Sequence, residues 1–290
     1  MACHTITLAH PTDWGGFRQA ARTLVQAGVP PQEVEWHTPQ TAARDLFSTP
    51  SDGMHCTGSP PPATEPGPVL RVPEAFVHLC ERLVLHRNPA RFALMYRLLW
   101  RLAHERALRH DPLDADRLQA HHMVRAVARD MHKMHAFVRF RPVTDSHGQT
   151  VQVAWFEPDH FITEANAGFF VRRFTQMHWA ILTPDASVRW DGSQLHLGPG
   201  AQRSDAPPPD AGEALWLTYY RHIFNPARLK TTMMRKEMPQ RYWRNLPEAT
   251  LISELAHGAH ERSGRMVEAA ATTPRKRIAP LTPSHAHASH

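Results

Sequence analysis

The chain has 290 residues, is 42% hydrophobic, and carries a formal net charge of +6. That apolar share is enough to bury a core and argues against a wholly disordered chain, while the basic balance suits a polyanionic partner. Three cysteines (Cys3, Cys56, Cys80) with no CxxC spacing argue against a disulfide framework and against an iron–sulfur cluster held by this chain. The N-terminus lacks a basic signal-peptide region, and no apolar run nears the roughly 20 residues of a membrane helix. The expectation is a soluble, cytoplasmic protein.

Thr5 to Ala9 alternates as a short strand, Phe17 to Ala27 has helical apolar spacing closed by Gly28, and Val34 to Trp36 reads as a second strand. Together they predict a small β-α-β unit, without the GxGxxG of a dinucleotide site. Ser48 to Pro68 holds six prolines and three glycines and is expected to be a disordered loop. Glu74 to Leu85 and Arg91 to Arg106 read as core-facing helices, separated by Asn88-Pro89.

Asp114 to Ala136 is the next expected helix, with Leu118, Val124, Val127, Met131 and Met134 inward. Its other side repeats His122, Arg125, Arg129 and His132 at steps of three and four, which makes a basic stripe. Such a stripe is either a solvated face or a face that tracks phosphates. Phe137 to Arg141 then reads as a strand, paired in a hairpin with Val151 to Phe156. Thr163 to Thr175 is predicted helical. Trp179 to Leu182, Val188 to Trp190 and Gln194 to Leu197 form a predicted meander turning at Asp191-Gly192. Glu213 to Phe224 reads as a further helix. The fold class is α+β, with helices packed on a mainly antiparallel sheet. One domain is expected over 1–257, with a disordered tail over 258–290.

Arg221 to Arg244 contains seven Lys/Arg against one acid, Glu237, with aromatics threaded through it. Cations attract phosphate and flat rings stack on bases. The candidate nucleic-acid contacts are Arg125, Arg129, Lys133, Arg139, Arg173, Arg228, Lys230, Arg235 and Lys236. Tyr242 and Trp243 are expected to anchor the segment to the core. Glu157, Asp159 and His160 cluster after a strand, where His160 would work near neutral pH, oriented by Glu157. His132 joins Glu157 and His160 as the candidate catalytic set. His132 and His135 form an HxxH, but no HExxH or cysteine pair accompanies it, so no metal and no cofactor is expected.

The segments 128–141 (ARDMHKMHAFVRFR), 155–174 (WFEPDHFITEANAGFFVRRF), 181–192 (ILTPDASVRWDG) and 219–249 resemble the family described as a probable DNA metabolism protein linked to radical SAM. They are also similar to the uncharacterised domain that precedes uracil-DNA-glycosylase-like modules in UdgX-type fusions. The resemblance spans about residues 5 to 257. It implies a role in DNA repair or DNA metabolism beside a radical SAM iron–sulfur partner, and it carries over no catalytic residue. The glycosylase-like module and its cluster cysteines are not in this chain, so uracil excision is not expected of it. Three functions follow as expectations: a DNA-binding accessory protein, an enzyme acting on a nucleotide or damaged base, or a protein-interaction module with a basic surface.

Overall fold

The computed structural model describes residues 4–39, 71–105, 108, 111–144, 148–208, 238–246, 249 and 251. The chain divides into two units, Met1–Asp210 and Ala211–His290. The expected loop at 48–68, the helix at 213–224 and the tail after 258 lie outside the described residues.

The first unit opens with β1 (His4–Thr7), α1 (Trp14–Gln26) and β2 (Val34–His37), and the two strands pair in parallel. This is the expected β-α-β unit. Asp13 caps α1 by accepting the Gly16 N–H at 2.7 Å, which satisfies a donor that the helix start leaves open. Gly28 ends it at φ 72°, while the N–H groups of Gly28 and Val29 return to Val25 and Leu24. That reversal needs left-handed backbone, which glycine adopts without a Cβ penalty.

Helices α2 (Glu74–Leu83), α3 (Arg91–His104) and α4 (Ala115–Phe137) follow. Phe17, Leu24, Trp36, Leu83, Phe92 and Tyr96 belong to the same buried cluster as Ala120 and Met123 of α4. The buried face of α4 is Ala120, Met123, Val127, Asp130 and Met134. Leu118, expected inward, is 46% exposed, because it lies off that three- and four-residue track.

The second sheet has strand order β3 (Arg141–Thr144), β4 (Thr150–Trp155), β5 (Trp179–Leu182), β6 (Ala186–Trp190), β7 (Leu195–Pro199). Three of its neighbouring pairs are antiparallel, and β4–β5 is parallel. The parallel pair is bridged by α5 (Thr163–Arg173), since parallel neighbours need a crossover. The α+β expectation therefore holds, with one parallel pairing inside a mainly antiparallel sheet. The strand expected from Phe137 starts later, at Arg141. Helix α4 still runs through Phe137, and the Val138 N–H bonds back to Met134. Phe140 instead packs edge-on against Phe170 and Phe174, under which Trp179 is fully buried. Pro142 sits on the outer strand β3, where a residue without an N–H is tolerated. Gly192, at φ 91°, makes the expected β6–β7 turn.

In the second unit, Gln240–Asn245 form a 3-10 helix begun after Pro239. Tyr242 is buried there and Trp243 is half-buried, with its indole N–H donated to the Met238 carbonyl at 2.9 Å.

Candidate functional site

A charged residue on the buried face of a helix needs partners, because desolvating an unpaired carboxylate is costly. Asp130 occupies such a place in α4 and is 3% exposed. Its Oδ2 accepts the backbone N–H of His160 at 2.9 Å, so the loop after β4 is tied to the middle of α4.

The His160 ring is held from a third direction, the turn between α2 and α3. Its Nδ1 accepts the backbone N–H of Arg87 at 3.3 Å, and its ring lies 4.3 Å from that of His86. The Nδ1 of His86 in turn accepts the Asn88 N–H at 3.2 Å. An imidazole nitrogen that accepts is unprotonated, so these bonds place the hydrogen of each ring on Nε2. Burial pushes the His86 pKa below its ordinary value, and the charges of Arg91 and His122 push the same way. His86 is therefore favoured as a neutral ring.

Arg87 closes the joint. Its Nε donates to the Asp159 carbonyl at 2.8 Å, and its fork pairs with both carboxylate oxygens of Asp185 in the β5–β6 turn. The guanidinium also lies over the Phe161 ring, 4.6 Å from its centre. Arg91 is 2% exposed. It donates to the carbonyls of Val84 at 2.8 Å, Asn88 at 3.0 Å, and Pro11. Burial, with the nearby Arg87 charge, lowers its pKa to about 10, so it remains charged at neutral pH.

A second polar contact lies further along α4. His135 bonds Asn166 of α5 through Nε2 at 2.6 Å and stacks on Phe169 at 3.7 Å. Asn166 is buried and donates to the Met131 carbonyl at 3.2 Å. Burial lowers the His135 pKa against the opposing Asn166 bond, and His132 lowers it further.

The expected catalytic set is placed as follows. His160 is at the joint. Glu157 is half-buried at the start of the same loop. His132 is exposed; lying two residues beyond Asp130, it projects about 200° around the helix from the face that holds His160. Among the expected nucleic-acid contacts, Arg125 and Arg129 are exposed on α4 with His122 and His132, as the stripe predicts. Lys133 is half-buried. Arg139 donates to the Ala136 carbonyl at 2.7 Å and to that of Val138 at 3.2 Å, which caps the end of α4. Arg173 is exposed at the end of α5, 5.8 Å from the centre of the Phe174 ring. Arg228, Lys230, Arg235 and Lys236 lie outside the described residues. Among the described residues, no three His, Cys, Asp or Glu side chains are grouped to hold a metal ion.

His86, Arg87, Asp130 and Asp185 were not anticipated from the sequence. Only Asp130 left a signal, an acid falling in register with Met123, Val127 and Met134 on an apolar helix face.

Among the described residues, no helix is long and apolar enough to cross a membrane. No curated protein and no solved structure matches the chain. A family model described as a domain of unknown function, DUF4130, matches residues 89–248, more than half of the chain. The match takes in Arg91, Asp130, His160 and Asp185, and begins just past His86 and Arg87. The chain therefore belongs to the DUF4130 family.

Proposed function

We propose that this is a cytoplasmic DNA-binding accessory protein of DNA repair or DNA metabolism, acting beside a radical SAM iron–sulfur protein. The observation that carries the DNA reading is the outer face of α4. Arg125 and Arg129 are exposed there, one turn apart, and neither pairs with an acid among the described residues. His122 and His132 extend the same line at both ends. Two exposed guanidinium groups one turn apart can follow a phosphate backbone and release its counterions. The radical SAM partner rests on the sequence resemblance given above.

The test is a salt titration of DNA binding. Each lost phosphate contact should reduce the slope of log affinity against log salt by about 0.9 on duplex DNA. Arg125→Gln/Arg129→Gln should therefore flatten it by about 1.8. No binding at low salt, or a slope unchanged in the variant, refutes the reading. Recovery of the radical SAM protein in a pull-down, resistant to nuclease, tests the partnership.

A second reading, an enzyme acting on a nucleotide or damaged base, is favoured by the His86–His160 pair. Each ring accepts a backbone N–H at Nδ1, which puts its own hydrogen on Nε2, where a neutral imidazole can donate a hydrogen bond to a substrate atom. His160→Ala should then abolish turnover without unfolding the protein, and an unchanged rate excludes the role.

A further inference from the structure

Helix α1 carries two arginines that pair with none of the described residues. Arg18 and Arg22 stand four residues apart, both exposed, and among the described residues neither has a hydrogen bond or ion pair. They border a pocket of about 190 Å³. Its floor is apolar and aromatic, built from Trp14 and Phe17 of the same helix, Phe76 of α2 and Leu99 of α3. Trp14 and Phe17 lie with their rings stacked, 6.0 Å apart and 20° from parallel. Asp13, the acid next to this face in sequence, is committed to the cap of α1 through bonds to Ala9 and Gly16.

A larger pocket, of about 370 Å³, lies between α2, α3 and α4 and shares Phe76. Its arginine, Arg117, already donates to the carbonyls of Leu108 at 2.9 Å and Asp111 at 2.6 Å. Apart from His121 the rest of that lining is apolar. The α1 pocket differs because two half-buried aromatic rings, Trp14 and Phe76, line it together with two guanidinium groups that pair with none of the described residues. Guanidinium binds phosphate oxygens through its planar fork, and aromatic walls accept the face of a base whatever its sequence.

We propose that the α1 pocket takes the base of an unpaired nucleotide in a DNA strand, with the flanking phosphates on Arg18 and Arg22. The assignment rests on the reading of the chain as a DNA-binding protein, and adds that it prefers a strand with an unpaired base. Arg18, Arg22, Trp14 and Phe76 precede the family match, and of the pocket residues named here only Leu99 falls within it.

The experiment uses the full chain and a short single-stranded oligonucleotide bearing one 5-iododeoxyuridine, its blunt duplex, and free dAMP. Arg18→Gln/Arg22→Gln alters two exposed side chains, and its far-ultraviolet circular dichroism should match wild type. Its affinity for the single strand should fall about tenfold, with a salt slope shallower by about 1.4, while duplex binding is unchanged. Photocrosslinking should modify the peptide that holds Trp14 or Phe76. If single-strand binding survives this variant but is lost in Arg125→Gln/Arg129→Gln, the pocket is refuted and the DNA reading stands. If wild type binds no DNA, both fail. Competition by dAMP at the same concentration as the strand refutes a strand site, and a crosslink elsewhere refutes the placement.

Discussion

Asp130 Oδ2 accepts the backbone N–H of His160 at 2.9 Å, across 30 residues of sequence, from inside the buried face of a helix. A carboxylate placed there is tolerated only because it is bonded, and removing it leaves the part-buried His160 N–H unmet. Asp130→Ala should cost about 2–3 kcal/mol in urea unfolding. Asp130→Asn retains an acceptor oxygen and should cost less. Equal stability of Asp130→Ala and wild type would show that the bond does not hold the loop.

Arg91 joins the N-terminal β-α-β unit to the α2–α3 turn, since one guanidinium reaches the carbonyls of Pro11, Val84 and Asn88. Lysine is a point charge on a flexible stem and cannot span three acceptors in that plane. Arg91→Lys should destabilise by about 2 kcal/mol, as lost charged hydrogen bonds do. Hydrogen exchange should rise in both β1 and the α2–α3 turn. A rise confined to one of them would show that the bridge is not shared.

His135 links stability to mild acid. Burial is the main reason its folded pKa lies below the ordinary 6.5. The unfolded chain therefore binds the proton more readily, and stability rises with pH up to about 6.5 and falls as pH drops through the folded value. His86 is shifted the same way, first by burial. In His135→Gln, a plot of unfolding free energy against pH should be flatter just below pH 6.5. NMR titration of His135 should give a midpoint below 6.5; a midpoint above it contradicts the geometry.

At lower pH another group takes over. Asp116 bonds Arg97 at 2.6 Å and Arg101 at 3.0 Å, and Asp114 pairs with Arg101 at 2.8 Å. The Arg97 bond holds Asp116, and the Arg101 bond holds Asp114, below the ordinary 3.8. For a lowered carboxylate, stability is present above the unfolded pKa and is lost as pH falls through the folded one. Asp116→Asn should remove about 1 kcal/mol at neutral pH, a modest amount because Arg97 is partly exposed. It should lose less than wild type between pH 4 and acid unfolding. Parallel curves for the two proteins would refute the pairing.

What could be read from residues alone was what repeats locally. The helices, the β-α-β unit and the turn at Asp191-Gly192 each follow from spacing or from a glycine at positive φ, because helical and strand periodicity are properties of neighbouring residues. The basic stripe of α4 was legible for the same reason. The parallel pairing of β4 with β5 was not, since register between distant strands is set by how α5 packs across them. Nor was the joint at His160: Arg87 lies 73 residues from His160 and 98 from Asp185, and no local pattern marks such meetings. Asp130 shows the division most plainly. Its position in the helix was written in the sequence, but its role was decided when packing turned that face inward and brought the His160 backbone N–H within reach.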